Sequence, residues 1–479
     1  MTMNNIWTLL PILFVLTGSI LVLLLEVFLK KEKKEYLGLV SIIFLLLSGT
    51  SCVLLWNKGF SYFNGGLFLD RLALVLSLLF IIGTALIILI SMKYLSLQGT
   101  NHGEYYSLLL FALIGILIMV SSTDLIIIFL GLEVLSMSSY ALAGLKRSDE
   151  KSGEAALKYF LLGSFASAFL VYGIALLYGA SKSTEIFSIV NYYQSDSTQA
   201  ILVISGLGML IVGFGFKIAM VPFHMWTPDV YEGSPTPVTA FFSVCPKAAG
   251  FAVLIRLFGP YFKQITDAKN IFLILWLLSV LTMIAGNLLA LRQKNIKRIL
   301  AYSSIAHAGY IMIAILAQSY YSLVFYLTVY LFMNIGAFSA VIALGKKDKE
   351  YLELDDYAGI GFRYPWIGSI LSVFLLSLAG FPPTGGFLAK FYVFSEAVHK
   401  GLTPIVIIGV LASLISVFYY LRIIVYMYMR EPSHSVKIYE NNPALYLALF
   451  ICLYGVIQLG LFPGNVLLFI KQAVASLPF

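Results

Sequence analysis

Two lysines and a glutamate stand where the chain is otherwise oily. Glu133 lies about ten residues into the apolar stretch TDLIIIFLGLEVLSMSSYAL, Lys217 ends the run LIVGFGFK, and Lys247 follows Pro246 midway along the next apolar run. A third lysine, Lys390, sits in LAGFPPTGGFLAKF. An ionisable group at the centre of a membrane helix costs about 2.5 to 3.5 kcal/mol on insertion scales, so a succession of them calls for water, partners or a task. The chemistry such groups support is proton transfer. Burial favours a neutral amine and a nearby carboxylate favours the ammonium, so a Glu133 that swings toward or away from Lys217 would load and unload it.

Further candidates flank these. His224, two residues after Pro222, is placed to relay protons between Lys217 and Lys247, because imidazole titrates near neutrality; a simple hydrogen-bonded histidine is the competing reading. His307, in AYSSIAHAGY, shares a helix face with Ser303 and Ser304 and would line a polar stripe. Lys158 lies five residues from the end of its span, where snorkelling to the surface competes with proton transfer. Arg71, Arg256 and Arg422 read as anchors near span ends, with Asp70 and Arg71 a local ion pair. Asp229 and Glu232 fall at the cytoplasmic mouth of a broken helix, where they could gather protons or cap a turn, capping being the simpler expectation.

The elements that must position these groups are membrane helices. Of 479 residues, 60% are hydrophobic and 11% charged, and the mean hydropathy is +0.93, which excludes a soluble multidomain protein. The expected fold is all-α, with about fourteen spans: 6 to 29, 36 to 56, 67 to 92, 104 to 120, 123 to 144, 155 to 179, 199 to 230, 236 to 258, 270 to 290, 296 to 316, 321 to 344, 366 to 399, 404 to 428 and 443 to 462. The runs are too long and continuous for barrel strands. Spans seven and twelve are interrupted by Gly and Pro, with Pro222 breaking the first a turn beyond Lys217.

The two interrupted spans lie five apart, and an odd offset inverts orientation. The chain is therefore expected to be one polytopic domain: three initial helices (1–103), a first repeat (104–260), an inverted second repeat (270–428) and a last helix (443–479), with an ion site at each break. With the amino terminus outside, inner loops carry eighteen Lys plus Arg and outer loops six, so both termini should face outward. The first span has its lysines after it, as a reversed anchor does, and reads as a span rather than a cleaved signal. The net charge of +8 follows from this topology and does not point to nucleic acid. Cys52, Cys245 and Cys452 are too scattered for a metal or cluster, and no phosphate loop, dinucleotide fingerprint or haem motif is present. If electrons drive this chain, other chains carry them.

The stretches FKIAMVPFHMWTPDVYEGSPTPVTAFFSVCPKAAGF, KNIKRILAYSSIAHAGY and LAGFPPTGGFLAKF closely resemble the antiporter-like membrane subunits of NADH:quinone oxidoreductase, respiratory complex I, and among them the subunit N branch. The likeness covers nearly the whole chain. It implies fourteen transmembrane helices, two inverted five-helix repeats and broken helices seven and twelve. It assigns the family's helix-five glutamate to Glu133 and its basic residues on helices seven, eight and twelve to Lys217, Lys247 and Lys390. It further implies one proton channel within a multi-subunit translocase of a bacterial inner membrane, among sibling antiporter-like subunits and peripheral subunits. FMN, iron–sulfur clusters, NADH and quinone would bind those partners, with no cofactor or metal in this chain. Two departures stand out: the long lateral helix of the largest sibling is missing, and Cys245 precedes Pro246 where a smaller, inert residue is expected. The competing readings are a multisubunit sodium/proton antiporter component without redox coupling, and a structural scaffold whose buried charges merely pair.

Overall fold

The computed structural model describes residues 7–477 except 8, 31–32, 57, 59, 63–65, 196–198, 266–267, 347–349 and 432–441. Its helices are α1 (Leu10–Phe28), α2 (Glu35–Leu54), α3 (Arg71–Leu97), α4 (Glu104–Val120), α5 (Leu125–Ala143), α6 (Glu150–Ser181), α7 (Ile186–Ser195), α8 (Ala200–Lys217), α9 (Trp226–Gly233) and α10 (Thr236–Gln264). There follow α11 (Lys269–Leu291), α12 (Ile296–Leu316), α13 (Tyr320–Ala343), α14 (Ile360–Arg363), α15 (Pro365–Ala379), α16 (Gly385–His399), α17 (Thr403–Met429), α18 (Pro443–Leu461) and α19 (Gly464–Val474). Among the described residues twelve helices are long and apolar enough to cross a membrane; α4 and the pair α15/α16 bring the crossings to fourteen. One departure from an all-helical chain is a small antiparallel hairpin, Phe60–Tyr62 against Leu67–Leu69, between α2 and α3. Two strands of three residues leave no periodic trace in so apolar a sequence.

Short polar side chains start many of the helices. Asp70, Asp124, Asp149, Asn295 and Asn442 each accept from a backbone amide in the first turn of α3, α5, α6, α12 and α18, satisfying donors that have no partner within the helix. Packing then orders the bundle from the inside out: α10, α12 and α13 are almost wholly enclosed, whereas α1 and α6 turn long apolar stripes outward. At the α4–α5 crossing the backbones nearly touch. A Cβ on Gly131 would stand 2.7 Å from the Gly115 carbonyl oxygen, so only glycines allow that approach.

The helices from α4 to α10 and from α11 to α17 form two five-span units of opposite orientation. α4 runs along α5 as α11 runs along α12, and α6 lies against α8 as α13 lies against α15. Each unit is tied by the same two-way backbone bridge. In the first, Leu125 N donates to Thr184 O at 2.9 Å and Ile186 N to Thr123 O at 3.0 Å; in the second, Ile296 N donates to Leu352 O at 2.7 Å and Leu354 N to Lys294 O at 2.9 Å. Each bridge joins the loop between the first two helices of its unit to the loop after the third.

The breaks fall where the sequence places them, with one shift: α8 stops at Lys217 itself rather than a turn beyond. The exposed backbone groups find partners nearby. Val221 N donates to Thr282 Oγ1 of α11 at 2.9 Å, and Trp226 Nε1 donates to Phe216 O at 3.0 Å. Such satisfaction is what allows irregular backbone at membrane depth. In the second unit Gly380, at φ +92°, ends α15 in the left-handed conformation open to glycine.

Candidate functional site

Three buried amines have matching surroundings. Lys217, at the end of α8, donates to Ser136 Oγ of α5 at 3.0 Å and to Tyr159 OH of α6 at 3.4 Å, and lies 5.5 Å from the centroid of the Tyr159 ring. Lys247, on α10, donates to Ser304 Oγ of α12 and lies 5.6 Å from the Tyr231 ring of α9. Lys390, on α16, donates to Ser413 Oγ of α17 at 2.8 Å and lies 5.1 Å from the Tyr310 ring of α12. Each amine therefore has one serine hydroxyl and one tyrosine ring, and none has a carboxylate within ion-pair distance among the described residues. Ring quadrupole and hydroxyl oxygen favour the ammonium without fixing it as a carboxylate would.

The breaks bring two of these amines to comparable places. Lys217 is carried by the last residue of the half-helix α8. Lys390 lies beyond its break but reaches back, donating to the carbonyls of Leu378 and Ala379 at 3.1 and 2.9 Å, the unpaired end of the half-helix α15. The two positions differ in sequence, yet both amines sit at the carboxyl end of the first half of a broken span.

Between Lys247 and Lys390 runs a polar row on α12. Ser303, next to the partner of Lys247, is hydrogen-bonded to Tyr420 OH; Tyr420 OH lies 3.3 Å from His307 Nε2, and His307 Nδ1 is 2.7 Å from Tyr326 OH. Tyr310, whose ring faces Lys390, accepts from Asn287 Nδ2 at 2.9 Å, and Asn287 Oδ1 accepts from Tyr419 OH at 3.0 Å. The stripe of Ser303, Ser304 and His307 is thus present: Ser303 and His307 share Tyr420, while Ser304 holds Lys247. Between Lys217 and Lys247 the link is aromatic: Tyr159 stacks on Trp226 at 4.5 Å, and Trp226 meets Tyr231 edge-on at 6.2 Å. His224 lies in the turn before α9, half-buried, with Nδ1 buried and without a partner among the described residues.

Glu133 stands one turn before Ser136 on α5. Its Oε1 accepts from Ser167 Oγ of α6 at 2.5 Å, and no ion pair joins it to Lys217 in this arrangement. Carboxylate and amine thus approach the same stretch of α5, each held by a different serine.

Several charges differ from the sequence expectation. Asp70 pairs with Arg256, not with Arg71: two hydrogen bonds of 2.9 and 3.0 Å join them in a site where both are 3% exposed, and Arg256 Nε also donates to Val120 O at 3.0 Å. The guanidinium fork fits a carboxylate from a distant helix better than a neighbour in the chain can. Arg71 instead stacks over Trp56 at 5.8 Å. Arg422 closes the end of α11 by donating to Leu291 O and Gln293 O at 2.8 and 2.5 Å. Asp229 and Glu232 do not cap a turn. They share Arg298, at 2.8 and 2.9 Å, while Asp229 also binds Lys158 and Glu232 binds Lys151, each at 2.7 Å. Lys158, 40% exposed, additionally meets Glu154 at 2.6 Å and lies at this mouth rather than in the buried row. A cavity of about 160 Å³ opens among these side chains.

Sequence reasoning did not single out the hydroxyl partners Ser136, Tyr159, Ser167, Tyr231, Tyr310, Tyr326, Ser413 and Tyr420. Two spacings are the signals available, Ser136 three residues after Glu133 and Tyr310 three residues after His307; the others reach the site from other helices.

A membrane-embedded bundle of two inverted five-span units, each with a broken helix and a buried lysine at the break, defines an antiporter-like ion-translocating subunit. Residues 122–416 match the family described as NADH:quinone oxidoreductase/Mrp antiporter, transmembrane, and the chain belongs to that family. It is 43% identical over 475 residues to NADH-quinone oxidoreductase subunit N of Trichlorobacter lovleyi, covering 98% of this chain and 97% of that one. To subunit N of Chloroflexus aggregans it is 40% identical, covering 98% and 96%. Among solved structures it is similar to a chain of respiratory complex I from Thermus thermophilus with bound aureothin, with 34% identity, TM-score 0.82 and coverage of 95% of this chain and 98% of that one. The fold is shared as well by a chain of the Mrp complex from Dietzia sp. DQ12-45-1b, at 20% identity, TM-score 0.85 and coverage of 100% and 98%.

Proposed function

We propose that this chain is a proton-translocating membrane subunit of a NADH:quinone oxidoreductase, coupling electron transfer on partner subunits to proton movement through its own buried residues. The observation that carries the reading is the repeated setting of Lys217, Lys247 and Lys390, each with one serine and one tyrosine and no fixed counter-charge. An amine so placed can exist as ammonium or neutral amine, which a lysine locked in an ion pair cannot do as readily.

Protons are taken up from the cytoplasm at the mouth formed by Asp229, Glu232 and Arg298, pass from Lys217 to Lys247, run along Ser303, Ser304, His307 and the neighbouring tyrosines to Lys390, and leave outward. Hydroxyl and imidazole groups serve as relays because each can donate and accept. His224, at the break, is the relay between the first two lysines. Lys158 acts at the mouth. Glu133 is the switch: held by Ser167 it leaves Lys217 free to release a proton, and turned one helical step toward Ser136 it stabilises the ammonium. The inverted units 104–260 and 270–428 hold one break each, after three initial helices and before a last one. Both termini face the periplasmic side of a bacterial inner membrane. NADH, FMN, iron–sulfur clusters and quinone bind other subunits, and sibling antiporter-like subunits adjoin this one.

The test is a reconstituted complex carrying Glu133→Gln or Lys217→Ala, with protons pumped measured against NADH oxidised. The expected result is a lower proton yield per NADH; an unchanged yield in both variants would refute the reading. Oxidation alone is an insufficient readout, because it persists when uncoupled. The second reading, a sodium/proton antiporter component, has in its favour the fold shared with the Mrp chain. Gentle purification separates the two: flavin and iron–sulfur subunits accompany the chain under the first reading and are missing under the second.

A further inference from the structure

Lys297 is a buried lysine that the row just described does not use. It is 1% exposed, at the second position of α12, so its charge opposes the positive end of the helix dipole. Among the described residues its amine donates to a single group, the Ser234 carbonyl at 2.6 Å. The charged groups around it are Glu350, Glu232, Asp149 and Lys146, and none makes an ion pair with it among the described residues. Glu232 is held by Lys151 and Arg298, and Glu350 accepts from Tyr94 OH at 3.0 Å and Thr236 Oγ1 at 2.5 Å. A lysine needed only for charge balance would pair with one of these carboxylates, as the adjacent Arg298 does.

The register of α12 shows where this amine leads. Ser304, the partner of Lys247, is seven residues on, two turns along nearly the same face and about 10 Å higher. His307 continues the stripe one turn further. The next residue, Arg298, lines the mouth cavity, as does Gly233, the neighbour of Ser234. Lys297 therefore stands at the mouth end of α12, two turns before the Ser304 of the Lys247–Ser304 pair, on the helix that carries the rest of the row.

We propose that Lys297 is a proton-loading residue that feeds Lys247 directly from the mouth, by a route that bypasses Lys217. A proton taken up at the mouth converts the neutral Lys297 amine to ammonium. An N–H bond of Lys297 then breaks as one forms on neutral Lys247, through the Ser304 hydroxyl and intervening water, and Lys297 returns to the amine. This inference rests on the proposed proton pumping by this chain.

The experiment uses the assembled complex in sealed vesicles and compares Lys297→Arg with Lys247→Ala. Arginine keeps a donor for the Ser234 carbonyl but stays cationic throughout, because it does not give up its proton. The expected result is that Lys297→Arg lowers protons pumped per NADH toward the Lys247→Ala level while the complex assembles. If Lys297 only ties α12 to Ser234, Lys297→Arg pumps at the wild-type yield and the proposal fails. Should the larger guanidinium block assembly, Lys297→Gln, which keeps a donor without titrating, is scored in the same way: a wild-type yield overturns the proposal and a reduced one supports it. A wild-type yield in Lys247→Ala would instead count against the pumping role itself.

Discussion

Lys247 of α10 donates a hydrogen bond to Ser304 of α12, and this contact joins the enclosed central helix to the one that carries His307. It places the middle lysine at the start of the polar row toward Lys390. Removing the hydroxyl leaves a buried amine without that partner, which costs about 1 to 3 kcal/mol and more when the group is charged. Ser304→Ala is therefore expected to lower the proton yield per NADH while leaving assembly largely intact. Ser136→Ala and Ser413→Ala should act alike, since each removes the corresponding partner of Lys217 or Lys390. Proton uptake measured in vesicles checks all three.

Asp70 and Arg256 are expected to matter for stability and not for pumping. Both are buried and bonded to each other, Asp70 also capping α3 and Arg256 also holding the Val120 carbonyl, and none of these partners belongs to the lysine row. Breaking a buried pair by removing one member costs about 3 to 5 kcal/mol because the other charge is stranded. Asp70→Ala or Arg256→Ala should lower the thermal midpoint and the amount of assembled complex, with the proton yield per assembled complex unchanged. Replacing both together by apolar residues of similar volume should restore much of the loss.

Gly131 links packing to function. A methyl group there would press on the Gly115 carbonyl at 2.7 Å, so Gly131→Ala must push α5 away from α4. Overpacking of this kind costs about 1 to 3 kcal/mol. Because Glu133 and Ser136 ride on α5, the variant is expected to lose both stability and proton yield, unlike Arg256→Ala. Thermal unfolding and vesicle pumping on the same preparation distinguish the two patterns.

Much of this is legible in the sequence. Continuous apolar runs and their Gly–Pro interruptions fixed the fourteen crossings and both breaks, because desolvation dominates every other term in lipid. The buried lysines were legible for the same reason: a charge in an oily run is conspicuous. Their partners were not. Serine and tyrosine are unremarkable within a membrane helix, and Tyr159, Tyr231, Tyr310 and Ser413 reach the amines only through contacts between different helices. The pairing of Asp70 with Arg256 was hidden likewise, since adjacency in the chain favoured Arg71. The hairpin near residue 60 was lost because its alternation is three residues long.

The proposed pumping requires Lys217, Lys247 and Lys390 to gain and lose protons. The most direct measurement replaces each in turn by arginine, which keeps a positive charge and hydrogen-bond donors but removes the titration, and records protons pumped per NADH oxidised in sealed vesicles. The expected result is a reduced yield for all three replacements with assembly retained. A wild-type yield for all three would mean that only the positive charge is needed, and that proton transfer takes place elsewhere.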